Sequence, residues 1–398
     1  MAGITWLNVF YYLLSMVYPS ALDHTQTKEL GNQRHLYDSY AEIHCQFRSV
    51  THDNTTIGHL KVLPRLTSFE PDDYYITYHT TKATGSKTES DTLTMSQRTS
   101  EGSFIATLEW SDLLGGSVYL LIQNIASGES WEYEWLIQDG DPLILKNGSG
   151  VPVFENYILQ KDSFHIESAD PSVSSVYVYQ YRHDFEPARP PISSAPGASG
   201  KNLSIDSVWS VKVGQKILLE DLGLYFIQSD SSSLKGISFR ITDNSYPKPG
   251  KIESLVAPLK YITTKSEYRR LQSADDPKKA FDKFWLEQTN DEQLARKNIK
   301  AYFQRFTWSN QVFTSYKEGW KTDRGMIFMI FGLPMDVRRL PAREEWTYSG
   351  FGDSQVVFTF MMVPNIFTDQ HYELVRSSDY DDFWFATLDA WRTGGLTR

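Results

Sequence analysis

The hydrophobic periodicity of this chain changes near Gly250, and that change divides what the chain can fold into. Before it, apolar residues recur at every second position, the period of a strand with one buried face. Directly after it they recur every three or four, the period of a helix, before strands return. Over residues 131–137, Trp131, Tyr133, Trp135 and Ile137 fall on one face while Glu132 and Glu134 fall on the other. Residues 74–79, 104–110 and 118–125 read the same way, separated by clusters of Gly, Ser, Asp and Thr that favour turns. This spacing predicts an antiparallel β-sandwich over residues 36–140. A second one is expected over residues 150–245, with strands at 176–183, 208–213, 224–228 and 237–242; in the first of these Tyr177, Tyr179, Tyr181 and His183 share a face. Residues 186–200, rich in Pro, Ser and Gly, read as a long exposed loop inside that domain.

Residues 251–398 read as an α+β domain. Asp276 before Pro277 is an N-cap followed by proline at the first helical position, and Phe281, Phe284, Trp285 and Gln288 follow three or four apart. Thr289 and Glu292 have the spacing of a capping box for a next helix carrying Leu294, Ile299, Tyr302, Phe303 and Phe306 and running towards Gly319. Strands are expected at about 325–331, 343–349, 354–362 and 371–376. A last helix is expected over about 379–392, its Trp384, Leu388 and Trp391 forming one stripe.

Charge and cysteine usage exclude whole classes of function. The net charge of −10 opposes binding to nucleic-acid phosphates, and no Lys/Arg run compensates locally. The single cysteine, Cys45, rules out an internal disulfide and a thiolate metal cluster; it shares a face with Ile43 and Phe47 and reads as a core residue. The nine histidines are scattered, so no metal or other cofactor is expected; His183, which ends the tyrosine face beside Asp184, is the least bland. Residues 4–17 are apolar and have the length of a signal-peptide core rather than of a membrane span. Residues 1–21 are therefore expected to direct export, leaving no transmembrane span in the mature chain.

No nucleophile, Walker loop or zinc-binding signature is present, so no catalytic residue is assigned. Glu344 and Glu345 invite a paired-carboxylate reading, but adjacent strand residues point to opposite faces, which places Glu344 with Trp346 and Tyr348. One of the two glutamates could instead pair with Arg324 or Arg376. Asp379, Asp381 and Asp382 could hold calcium; a helix start, with Asp379 capping the first turn, explains them more simply. Asp323 is expected to bond the turn backbone and fix Arg324.

The stretch Gly319-Trp320-Lys321-Thr322-Asp323-Arg324-Gly325, followed by Phe331-Gly332, Glu345-Trp346 and Trp384 in order, resembles the GWxTD domain family. That family is found chiefly in envelope proteins of Bacteroidota bacteria. The resemblance is best over about residues 273–398; it departs at Gly332-Leu333-Pro334-Met335-Asp336, where relatives often carry two prolines and two acids. It implies a location in the periplasm or at the outer membrane and a mainly structural role for Gly319, Trp320, Thr322, Asp323, Arg324, Gly325, Glu345, Trp346 and Trp384. The function expected is a noncatalytic envelope assembly or interaction module with a protein partner. The alternatives are glycan binding through the aromatic faces and hydrolysis of polysaccharide or peptide by C-terminal carboxylates.

Overall fold

In the computed structural model, residues 31–65, 70–87, 90–93, 97–99, 102–192, 203–350 and 354–395 are described. The expected export segment, residues 1–21, lies outside them. The first region contains β1 (Ile43–His52), β2 (Thr55–Pro64), β3 (Tyr74–Thr81), β4 (Asp91–Thr92), β5 (Gln97–Arg98), β6 (Phe104–Ser111), β7 (Ser117–Asn124) and β8 (Ser130–Leu136). They form two antiparallel sheets, ordered β1-β2-β6-β5 and β4-β3-β7-β8. Ile43, Leu60 and Val62 of one and Ile76, Ile122 and Tyr133 of the other enter a single core. Trp131, Tyr133 and Ile137 are all buried, as a period of two requires. Cys45 packs against this core, and burial pushes its thiol well above the ordinary range.

The next strands are β9 (Leu143–Asn147), β10 (Tyr157–Leu159), β11 (Phe164–Ser168), β12 (Ser175–Tyr181), β13 (Ser207–Lys212), β14 (Gly223–Gln228) and β15 (Ile237–Thr242). Five of them form a sheet ordered β10-β15-β14-β12-β13, and β11 pairs with β9. The expectation of a wholly antiparallel arrangement needs one correction, since β10 runs parallel to β15; three residues are too few to display a period in sequence. Val176 and Val178 of β12 face the core. On the tyrosine face, Tyr177 is exposed, whereas Tyr181 packs edge-on against Phe367 of the C-terminal region.

The loop at 186–200 also needs correcting. Its first part lies along the C-terminal region: the Ala188 amide donates to the Lys321 carbonyl at 2.9 Å, and the Ser377 amide donates to that of Pro191 at 3.1 Å. Residues 193–200 lie outside the described residues.

The C-terminal region contains α1 (Ile252–Val256), α2 (Lys265–Gln272), α3 (Pro277–Thr289), α4 (Glu292–Phe313), α5 (Asp323–Phe331), β16 (Asp336–Leu340), β17 (Arg343–Ser349), β18 (Gln355–Met362), β19 (Tyr372–Leu374) and α6 (Asp381–Thr393). Asp276 caps α3 by accepting from the Lys279 amide. For α4 the cap is Asp291, accepting from Leu294 N, and not a box of Thr289 and Glu292; the Thr289 hydroxyl is turned to the Trp285 carbonyl. This helix ends at Phe313 rather than running on to Gly319.

The largest correction concerns residues 325–331, which are helical and not a strand. A short, continuously apolar run suits either structure when buried on all sides, and every residue from Asp323 to Ile330 is buried. Asp379 is not a cap either: its own amide donates to the Ser377 hydroxyl, while Asp381 and Asp382 occupy the first turn of α6, where the helix dipole favours acids. Trp384 and Trp391 are buried, with Leu388 packed against the same core.

Residues 32–37 join this C-terminal core although they precede β1 in sequence. Asn32 Nδ2 donates to the Met335 carbonyl, Gln33 N donates to that of Val337, and Tyr37 sits against Trp346 and Phe313. Two histidines line the resulting seam. His35 Nε2 donates to the Glu132 carbonyl at 3.0 Å and its ring meets Tyr133 edge-on; His44 packs on Trp308. Burial lowers the pKa of both, that of His35 from 6.5 to about 4. A histidine depressed on folding is charged first in the unfolded chain, so its contribution is complete above about pH 6.5 and disappears as pH falls towards about 4. Urea unfolding across that window is expected to show stability falling with acidification, and His35→Gln is expected to shallow the slope.

Candidate functional site

The glycine-to-glycine segment 319–325 forms the corner between α4 and α5, and each residue type there has a local cause. A Cβ on Gly319 would lie 1.9 Å from the Ser309 carbonyl oxygen of α4, and one on Gly325 would lie 1.8 Å from that of Gly319. Only glycine permits these backbone approaches. The Trp320 amide donates to Asn310 Oδ1 at 3.1 Å, its carbonyl accepts from the Tyr261 hydroxyl, and its ring lies in the core beside Phe306. Thr322 is the N-cap of α5: its hydroxyl accepts from Gly325 N at 3.0 Å and donates to the Gly319 carbonyl at 2.7 Å, satisfying backbone groups that a helix start leaves open.

The Asp323 side chain is spent on the last strand of the sheet. It accepts from the Leu374 amide at 2.9 Å and pairs with Arg376 at 2.5 Å. It does not fix Arg324, as the sequence suggested; that guanidinium has other partners. Arg324 pairs with Glu344 at 3.2 Å and donates to the Tyr37 hydroxyl and to the Gln370 carbonyl at 3.0 Å. Its Cζ lies 4.1 Å from the Tyr372 ring centre. Burial alone would lower the Arg324 pKa, but Tyr37, Glu344 and Tyr372 together hold it raised. Burial, reinforced by Glu344, pushes the Tyr37 hydroxyl well above its usual value.

Glu344 is fully buried and also accepts from Trp346 Nε1 at 2.5 Å. Glu345 faces the other way, half-buried, and pairs with Arg343 rather than with Arg324 or Arg376. The two adjacent carboxylates therefore do not converge. Trp384 is buried beside Phe331.

A second charged cluster ties the corner to the preceding sheet. Lys321 reaches Asp184 at 2.5 Å and Glu318 at 3.1 Å, and Arg240 of β15 reaches Glu318 at 3.2 Å and the Tyr316 carbonyl. Burial tends to raise the Glu318 pKa, yet Arg240 and Lys321 outweigh it and hold the carboxyl below its usual range. Sequence reading missed Tyr37, Arg240 and Glu318. They sit far from the motif in the chain or outside any recognisable pattern, so no local signal identified them.

The family comparison agrees with this geometry. Residues 223–393 match the GWxTD domain. The chain carries a GWxTD domain. The match opens at the first residue of β14, so it includes β14 and β15, the latter with the Arg240 that holds Glu318. Among solved structures, the three N-terminal domains of the bacteriophage RB49 Highly Immunogenic Outer Capsid protein (Hoc) align with 50% of this chain over 58% of that one, at 14% identity and a TM-score of 0.17. A likeness that weak carries no argument. No curated protein matches the chain.

Asp323→Asn is expected to destabilise the GWxTD domain by about 1–3 kcal/mol, because the amide keeps an acceptor for Leu374 N but loses its charge-assisted pair with Arg376. Urea unfolding of the variant beside the wild type measures it.

Proposed function

We propose that this protein is a noncatalytic interaction or assembly module of the bacterial cell envelope, exported to the periplasm or the outer membrane, that holds a protein partner. The observation that supports this most is how the motif's carboxylates are used. Asp323 is bound to Leu374 N and Arg376, and Glu344 to Arg324 and Trp346, so the acids best placed for chemistry are engaged in holding the fold. Location rests on the export-length apolar segment and on the family. In this reading the two β regions are tandem sandwiches that supply rigid spacing and broad faces without needing a cleft.

Glycan binding is the second reading. It is favoured by the outward face of β3 and β7, where Tyr75 is exposed and His79 stacks on Tyr119 at 4.8 Å. Two parallel assays decide among the readings: affinity capture from the native envelope, and turnover screens with peptidoglycan, glycan and peptide substrates. A specific protein partner without turnover supports the proposal. Turnover that Asp323→Asn and Glu345→Gln both abolish without unfolding the domain overturns it, and retention on glycan alone moves the function to the sugar-binding face.

A further inference from the structure

Lys317, two residues before the GWxTD corner, is a cation that the ion-pair pattern leaves over. The neighbouring cations each have a carboxylate: Lys321 has Asp184 and Glu318, Arg376 has Asp323, and Arg240 has Glu318, while Glu373 lies 3.3 Å from His371 Nε2. Among the described residues, no carboxylate lies within ion-pair distance of the Lys317 ammonium, which sits 5.7 Å from the centre of the Tyr316 ring. Asp323 and Glu373 act on it from a distance in one sense, and Lys321 and Arg376 in the other. A half-buried ammonium without a paired acceptor is costly.

Aromatic rings surround the ammonium, and two of them, Phe185 and Tyr316, also pack against the core of Tyr181, Leu224 and Phe226. Tyr316 meets His371 edge-on at 5.3 Å and Phe185 at 5.0 Å. Phe185 in turn meets the exposed His183, the residue that the tyrosine strand singled out. Arg376 Nε is buried without a hydrogen-bond acceptor in the same neighbourhood. Aromatic walls, one leftover ammonium and one unmet guanidinium N–H make a receptor for a small planar anion.

We propose that Lys317 and Arg376, walled by Tyr316, Phe185 and His371, bind a single carboxylate of a partner polypeptide. A carboxylate suits the site better than a phosphate. The Lys317 ammonium is the one cation of the group with no carboxylate at ion-pair distance among the described residues, and Asp323, Glu373 and Asp184 close by would repel a dianion. The identity of the bound group deepens the interaction reading above and rests on it. The burial-lowered pKa of Lys317 agrees, because an incoming carboxylate would restore the charged form.

The test uses the full chain with its lysines reductively methylated with ¹³C-formaldehyde, the Lys317 signal being assigned by its absence in Lys317→Gln. The probes are sodium acetate, an N-acetylated C-amidated peptide with one internal Glu, an N-acetylated peptide with a free C-terminus, and the Glu→Gln amidated peptide as control. Expected results are a low titration midpoint for Lys317 that rises when a carboxylate probe binds, and binding weakened by about tenfold or more in Lys317→Gln and kept in Lys317→Arg. The internal-Glu and free-terminus arms distinguish a side-chain from a terminal carboxylate. A Lys317 signal unmoved by acetate and by both carboxylate peptides overturns the site, as does equal binding of the Gln control. Neither result touches envelope capture of a partner, so failure here is separable from failure of the interaction reading.

Discussion

Trp320→Ala is expected to lower the stability of the GWxTD domain by about 3–5 kcal/mol, the range for truncating a buried tryptophan that leaves a cavity. The ring is 5% exposed, so nearly all its apolar surface is lost from the core, and Phe306 and Tyr261 lose a packing partner. Its backbone bonds to Asn310 and Tyr261 survive the change, which confines the loss to the ring. Gly325→Ala is expected to be at least as severe for a different reason: the added methyl meets the backbone of Gly319, which cannot move without parting α4 from α5. Urea unfolding followed by tryptophan fluorescence and far-ultraviolet dichroism measures both. A Trp320→Ala protein as stable as wild type would show that the ring is not held as described.

The second large effect is expected at the buried pair of Arg324 and Glu344, whose side chains are 9% and 1% exposed. Removing either partner strands a charge in the core and is expected to cost about 3–5 kcal/mol. Replacing both by apolar residues removes the stranded charge, so Arg324→Met with Glu344→Leu is expected to be less destabilising than the two single losses added together. Unfolding free energies for the four members of this cycle give the coupling. Additive losses would mean that the two groups do not depend on each other, and would direct attention to the Tyr37 and Gln370 contacts of Arg324.

The parts of this architecture that sequence reveals are those carried by periodicity and by local chemistry. Alternating Trp131, Tyr133 and Trp135 specify a strand because a pleated sheet sends every second residue inward. Asp276 before Pro277 specifies a helix start because both effects are local. Opposed faces for Glu344 and Glu345 follow from the same pleat. Where a segment is buried on all sides, periodicity has nothing to report, and α5 was therefore open to being read as a strand. The Thr322 cap and the approach of Gly325 to the Gly319 carbonyl identify it in the folded chain. Tyr37 was illegible for another reason: its contacts with Trp346 and Arg324 join residues some 300 positions apart, and nothing near Tyr37 in the chain marks it as part of the C-terminal core. The charge pairing of Asp323 with Arg376, rather than service to the adjacent Arg324, likewise depends on where β19 ends.

The claim at the centre of this account is that the motif holds a fold and does not itself touch partner or substrate. Thr322→Ala addresses it most directly, because it removes the N-cap hydroxyl of α5, with its bonds to Gly325 N and the Gly319 carbonyl, and no buried ring or charge; the expected loss is about 1 kcal/mol. The measurement is capture of the native-envelope partner by wild type and by Thr322→Ala, well below the melting temperature of the variant and with the folded fraction verified by dichroism. The account predicts a lower melting temperature and unchanged capture per folded molecule. Capture lost by a variant that is still fully folded would contradict it and make the motif a contact surface.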